Sequence, residues 1–410
     1  MTTGIGDQAG RRSPAPEIVH AQGNVLRLAL GQALAGANAT VTYATGAVVG
    51  HTLAPSPNLA TLPISIFVVG MAVCVLPIGA LAQTFGRRAA FILGSIFGIL
   101  AGLLSFAAVI FGSFPAFCAG TFFGGAYAAV VLSFRFAAAD CVPPERRARA
   151  LSMVMAGGLF AGIIGPQMVT YTMDLWPPPA IFAATYLAQA AVAALAGMIL
   201  SGVRLPPPTR LERSGGRPLY IFIQQSRFLC AVMVGIVSYA IMNLIMTSAP
   251  LAMRMCGLSQ EDANLGLQWH VIAMYAPSFF TGHLISRFGA ARVIAVGLLL
   301  DMIGAVVGLT GISTWNFWAT LMLLGIGWNF GFTGASAMVL ETHRPEERMK
   351  VQSANDFAIF GVMVIASFAS GGLLNHFGWE MICWVSLPPL VAAGIALWAA
   401  QTSRFRLRNG

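Results

Sequence analysis

The sequence predicts an all-α membrane protein whose twelve transmembrane helices form two pseudo-symmetric six-helix bundles. Three observations carry this reading: a chain nearly free of charge, apolar blocks each long enough to cross a bilayer, and a polar loop pattern that recurs after about two hundred residues. Only 9% of the 410 residues are Asp, Glu, Lys or Arg, where a soluble globular chain carries about 25%. The apolar share is 57%, gathered in blocks and not in the one-sided stripes of a surface helix. A water-exposed surface cannot be built from such a chain, so lipid is its solvent.

A hydrocarbon core about 30 Å thick needs roughly 20 apolar residues of helix. Six blocks of that length lie near Val25 to Val48, Leu62 to Leu81, Ala89 to Phe111, Phe114 to Ala138, Ala150 to Thr170 and Ile181 to Val203. Six more lie near Phe228 to Leu251, Leu267 to Ile285, Val293 to Gly311, Trp315 to Leu340, Val351 to Leu374 and Met381 to Ala400. Met1 to Asn24 is polar and lacks the apolar run and cleavage site of a signal peptide, so it is expected to stay in the cytoplasm. Arg204 to Arg227 contains Pro206-Pro207-Pro208 and Gly215-Gly216, too polar to span and rich in helix breakers. The expected organisation is a tail at 1–24, a bundle at 25–203, a linker at 204–227, a second bundle at 228–402 and a tail at 403–410.

A net charge of +9 raises nucleic acid as a partner, and the distribution of the basic residues excludes it. With both termini in the cytoplasm, 21 of the 23 Lys and Arg fall in cytoplasmic segments, leaving Arg254 in an outer loop and Arg135 inside the fourth span. That sorting is a topology signal for a bacterial inner membrane, with no basic patch interleaved with aromatics. The six cysteines show no metal spacing and read as packing residues. No phosphate-cradling loop, metal-binding His/Glu pair or Ser-His-Asp set can be assembled, so neither an enzyme, a cofactor nor a metal is expected. His51, His270, His283, His343 and His376 are scattered and read as interfacial.

The loop after the fourth span, Asp140-Cys-Val-Pro-Pro144-Glu145-Arg146-Arg147-Ala-Arg149, returns after the tenth as Glu341-Thr-His-Arg-Pro345-Glu346-Glu347-Arg348-Met-Lys350, offset by 201 residues. Gly79-Ala-Leu-Ala-Gln-Thr-Phe85-Gly86-Arg87-Arg88 after the second span returns after the eighth as Gly282-His-Leu-Ile-Ser-Arg-Phe288-Gly289, offset by 203. Two copies of one six-span unit explain both. These residues resemble the major facilitator superfamily, whose loop between helices 2 and 3 carries G-x-x-x-D-R-x-G-R-R and whose fifth helix carries a Gly-Pro motif, here Gly165-Pro166. Gln83 and Thr84 stand where the motif's Asp and first Arg belong, which implies a weakened or rewired latch between the halves.

The resemblance implies a solute transporter working by alternating access, with a cavity near the bilayer midplane lined mainly by helices 1, 4, 7 and 10. On those helices the candidates for substrate contact are Asn38, Thr42 and Tyr43; Tyr127; Tyr239, Asn243 and Thr247; and Trp328, Asn329 and Thr333. Amides, hydroxyls and rings without fixed charge suit a flat or polar neutral organic molecule, although the same residue types also glue helices together in lipid.

Charges inside spans are costly and therefore candidates for function; there are three, Arg135, Asp301 and Asp356. Arg135 lies close enough to the cytoplasmic end to snorkel, and gating, packing and substrate contact all remain open for it. Asp356 is expected within reach of Arg87 or Arg88 across the halves, with Asp140 as a second anchor for Arg87; the resemblance implies such a cytoplasmic bridge. Asp301 is expected to be protonated or hydrogen-bonded within the second half. The Arg135-Phe-Ala-Ala-Ala-Asp140 and Trp328-Asn329-Phe330 runs resemble a group of bacterial carriers that includes vitamin transporters, among them a riboflavin importer. The expectation is uptake of a vitamin-like heterocycle such as riboflavin; the alternative is proton-coupled efflux of drugs or metabolites. Efflux pumps of the superfamily usually carry an Arg near the start of helix 4 in an R-x-x-x-G context, where this chain has Gly120-Thr-Phe-Phe-Gly124. Protons as coupling ion and a monomeric state are the family defaults.

Overall fold

With no water to satisfy peptide groups in hydrocarbon, a chain of this composition can cross only as helices that close their backbone hydrogen bonds internally. The computed structural model, which describes residues 21–56, 59–205 and 216–409, consists of helices joined by short turns, with no strand among the described residues. Among the described residues, ten helices are long and apolar enough to cross a membrane by length and composition alone. These are spans 2 to 7, namely Leu62–Phe85, Arg87–Phe111, Phe114–Asp140, Pro144–Thr172, Ala183–Ser201 and Ser226–Met255, and spans 9 to 12, namely Ala290–Leu309, Thr314–Val339, Pro345–Ala369 and His376–Gln401. Span 1, Ala21–Leu53, is long but diluted by Asn24, Arg27, Gln32 and Asn38. Span 8 is broken at Ala276 and Pro277 into Gln260–Tyr275 and Ser278–Phe288, and it opens on Gln260, Glu261 and Asp262.

Span 1 is already helical at Ala21, four residues ahead of its expected limit, and Asn24 buttons it to the end of span 6. The Asn24 amide donates to the Arg204 carbonyl at 2.8 Å and accepts from the Arg204 N–H at 3.0 Å. Span 4 bends at Ser133, whose hydroxyl turns back to the Val130 carbonyl at 2.6 Å. Spans 11 and 12 share one continuous run, Arg348–Asn409, broken at Gly378 (φ 77°). Part of the expected linker folds as a short helix, Leu219–Ile223, while residues 1–20 and 206–215 lie outside the described residues.

The internal repeat is visible in the backbone. Pro144–Arg146 and Pro345–Glu347 each form a 3-10 turn at the same place in the two copies. Gly86 (φ 89°, ψ 159°) and Gly289 (φ 84°, ψ 151°) adopt the same conformation, one that a residue with Cβ rarely enters.

At the ends of the spans that carry the Arg-rich loops, the two halves touch. Ser152 of span 5 donates to the Ser278 carbonyl at 2.5 Å and accepts from the Gly282 N–H at 3.1 Å, both on span 8. Gly79 of span 2 faces Ser353 of span 11 so closely that a Cβ there would lie 1.9 Å from Oγ and 2.6 Å from Cβ. Small residues let the backbones approach to that distance. The halves are therefore shut against each other at the Arg-rich end.

Candidate functional site

Charged groups cross between the halves just inside this closed end. The Arg87 guanidinium donates to Asp140 at 2.5 Å within its own half and to Gln352 Oε1 of span 11 at 2.6 Å. Arg348 of the second half approaches Asp140 at 3.8 Å. Deeper in, Arg135 is 1% exposed and pairs with Asp356 at 2.5 Å, with Asn355 donating to the same carboxylate oxygen at 2.9 Å. Its Nε donates to Ser336 Oγ at 3.2 Å, and another nitrogen donates to the Leu132 carbonyl. The guanidinium also lies over the rings of Phe136 and Phe332, 4.3 and 4.7 Å from their centroids. A charge taken out of water is tolerable only with this density of partners.

The sequence expectation is corrected in two respects here. Asp356 pairs with Arg135; Arg87 lies within electrostatic reach of it, as expected, but makes its bond to span 11 at Gln352, one turn earlier. Arg88 is exposed. Arg135 does not snorkel; its side chain turns inward across the interface because its counter-charge lies there. Between the two polar layers is a cavity of about 30 Å³, bordered by Gly79, Arg87, Ser133, Gln352, Ser353 and Asp356, room for a water molecule and for no organic solute.

Above the Arg135 pair the second half gathers an aromatic cluster. Trp328 stacks on Phe332 (5.1 Å, 15°), and Tyr239 meets Trp328, Phe332 and Phe360 edge-on at 5.6, 5.1 and 5.1 Å. Tyr275, at the break of span 8, meets Trp328 edge-on at 5.7 Å. Its ring packs on Gly158 of span 5, where a Cβ would lie 2.3 Å from it. From the first half, Tyr43 packs against Phe67 at 5.4 Å and lies within electrostatic reach of Tyr275 and Tyr239. Rings from both halves thus converge directly over a compensated ion pair, a site that offers stacking surfaces and hydroxyls without net charge.

Of the sequence candidates, the structure brings Tyr43, Tyr239 and Trp328 together, with Asn243 one turn beyond Tyr239 and its amide nitrogen without a protein partner. Thr247 bonds back to the Asn243 carbonyl at 2.7 Å. Asn38 and Thr42 share a helix face with Thr45, whose hydroxyl meets Tyr186 of span 6 at 2.8 Å, and Gln189 of span 6 donates to the Asn38 carbonyl at 3.2 Å. Thr42 and Thr45 are thus engaged within the first half, whereas both side-chain amide atoms of Asn38 are buried without a partner among the described residues, and Tyr43 turns to the centre. Tyr127 is buried against Gly98 of span 3, which Ala193 of span 6 also approaches, again inside the first half.

Asn329 is committed to span 8: its amide donates to the Met274 carbonyl and Ser278 Oγ, both at 2.6 Å, and accepts from Thr281 at 2.7 Å. It supplies the partners that the helix break at Pro277 demands. Thr333 is fully buried one turn beyond it. Asp301 is 1% exposed against Gly327 of span 10, and its carboxylate oxygens have no hydrogen-bond partner among the described residues, so of the two expected fates the hydrogen bond is not the one seen. His270, expected at an interface, is fully buried in span 8, its Nδ1 2.7 Å from the Leu321 carbonyl.

Ser336, Gln352 and Tyr275 are site residues that reading along the chain did not single out. Two had a signal: Ser336 is the repeat equivalent of Arg135 at the 201-residue offset, and Gln352 shares a helix face with Asp356 four residues on. Outside the membrane, Glu347 grips the second half's end of the linker, accepting from Arg217 Nε and a terminal nitrogen at 2.6 and 2.8 Å, while Lys350 donates to the Arg217 carbonyl at 2.5 Å. The Arg217 guanidinium holds this carboxyl down to about 2, so the clamp stays charged across the working pH range.

A closed end, a charge pair crossing the halves and a ring-lined centre above it, in a duplicated twelve-helix bundle, define a solute carrier. A model of the Major Facilitator Superfamily matches residues 28–268 and 231–409, and the chain belongs to that family. It is 45% identical over 372 residues to the riboflavin transporter RfnT of Brucella anthropi, covering 90% of this chain and 93% of that protein. Multidrug resistance protein 2 of Bacillus subtilis matches at 27% over 173 residues, 42% of each chain. Among solved structures, the proton:xylose symporter XylE superposes with a TM-score of 0.74 at 16% identity, covering 93% of this chain and 96% of its own.

Proposed function

We propose that this carrier takes up riboflavin across a bacterial inner membrane, with both termini in the cytoplasm and the closed Arg-rich end as the cytoplasmic gate. The observation that carries the reading is the 45% identity to a riboflavin transporter over nine-tenths of the chain; the match to a drug-resistance protein covers less than half of it. The site chemistry agrees. A flat tricyclic ring with a polyhydroxylated chain calls for aromatic faces and neutral hydrogen-bonding groups, which Tyr43, Tyr239, Tyr275 and Trp328 supply, with Asn243 at the edge. Arg135, already neutralised by Asp356, offers no unpaired charge that would select an ionic solute. In this reading Arg87, Asp140 and Gln352 hold the gate, Arg135 and Asp356 report on its closure from below the substrate, and Asp356 is the carboxylate placed to take up a coupling proton.

Expression in a riboflavin auxotroph lacking its own importer is expected to restore growth at low external vitamin, with saturable uptake of labelled riboflavin. Good membrane expression without growth would overturn the substrate. In the same assay, Tyr43→Ala is expected to raise KM about tenfold or more, since a lost ring contact is worth roughly 1 kcal/mol or above. Asn329→Ala should leave KM near its original value and lower thermal stability, because its bonds hold span 8 and not the solute.

A further inference from the structure

We propose that His343 is a proton-sensitive lock on the contact between the halves: the neutral imidazole holds the Arg-rich end shut and the imidazolium releases it. His343 sits in the turn before span 11, at the end of a chain of hydrogen bonds whose donors and acceptors are all determined. Its Nδ1 lies 3.1 Å from the Arg344 carbonyl, which can only accept, so Nδ1 carries the hydrogen. Its Nε2 lies 3.2 Å from the Gln352 amide nitrogen, which can only donate, so Nε2 must present its lone pair. Both contacts require the neutral ring.

The amide of Gln352 cannot turn over to accommodate a second proton. Its oxygen accepts from the Arg87 guanidinium at 2.6 Å, and a flip would set NH2 against a group with nothing but donors. The guanidinium is fixed in turn on Asp140 at 2.5 Å. Gln352 belongs to the second half and Arg87 to the first, so the bond that joins the halves depends on the protonation of a ring in the adjoining turn. Protonation at Nε2 leaves two donors facing each other, a clash that is relieved when Gln352 withdraws and the halves part.

The surrounding charges lean the same way. Burial pushes His343 below the usual histidine range, with Arg147 and Arg87 adding to it, against the pull of the Arg344 carbonyl and of Asp140, whose charge Arg87 and Arg348 already share. In the open form the ring meets water and its proton affinity recovers. The closed form therefore binds the proton less well than the open one: closure is complete above the ordinary histidine range and weakens as pH falls through it. Acidification of the cytoplasm would tilt the carrier toward facing inward.

The test needs no substrate, so its failure is separate from any failure of the riboflavin reading. Spin labels are placed at E145C and F288C, exposed positions in opposite halves at the Arg-rich end, in a chain whose half-buried Cys74, Cys118 and Cys256 are replaced by Ser. In lipid nanodiscs, the ratio of long to short inter-label distances is expected to rise roughly tenfold between pH 8 and pH 5.5, the effect of one lost hydrogen bond. His343→Gln, which can accept from Gln352 at any pH, is expected to keep the short distance throughout. An unchanged distribution in the parent, or a pH response that survives H343Q, overturns the proposal. Should H343Q fail to insert, Gln352→Leu, which cuts the relay, decides it: loss of the pH response supports the lock and its retention overturns it.

Discussion

Asp356→Ala is expected to lower uptake at least a hundredfold and to lower thermal stability with it. The substitution leaves the Arg135 guanidinium, 1% exposed, without its counter-charge. Removing one partner of a buried ion pair costs about 3–5 kcal/mol, because the charge that remains has lost both water and mate. A second variant separates folding from transport. Replacing both residues by apolar groups of similar volume, as in R135M/D356L, removes the stranded charge and is expected to restore most of the stability. Uptake should stay low, since an apolar pair favours the shut state by its burial and has no charges to exchange for water as the halves part. Thermal unfolding in detergent and initial uptake rates check both statements. A single variant with normal uptake, or a double variant no more stable than the single, would remove the pair from the mechanism.

Gly79→Ala is expected to cut uptake tenfold or more, and Ser353→Gly in the same chain to restore it. The added methyl would stand 1.9 Å from Ser353 Oγ and 2.6 Å from its Cβ. A serine can rotate its hydroxyl away but cannot move its Cβ without its backbone, so spans 2 and 11 must separate and the Arg-rich end can no longer shut. With Ser353 also reduced to glycine, both obstructing atoms are gone. The comparison of the single and double variants, at matched membrane levels, is read in the initial rate. A double variant as impaired as G79A would mean that the close approach is not what the methyl disturbs.

The class of fold was legible in the sequence because lipid imposes it: length, apolarity and the sorting of arginines leave little else for this chain to be. The candidate site was legible only in part. Arg135 and Asp356 stood out as candidates by their cost in a membrane, yet their mutual pairing did not, since helical spacing orders residues along one span and is silent on which span of the other half lies opposite. The same limit explains Tyr127 and Asn329. Each sits on a span expected to line the cavity, and each turns to a neighbour within its own half. Tyr275 escaped notice for the converse reason: span 8 was not expected at the centre, and the break at Pro277 with the bare surface of Gly158 brings it there.

Arg135 reaches Ser336, the residue that occupies its own place in the second copy. Two positions exchanged by an approximate dyad can meet only on that dyad, where there is space for one long side chain and not for two. A protein assembled from two first halves would set guanidinium against guanidinium in a dry interior, and one from two second halves would face a pair of hydroxyls with two carboxylates left over. Neither homodimer would hold the pair of opposite charges seen here, which exists only because the two copies have become unlike at the point where their symmetry is strictest.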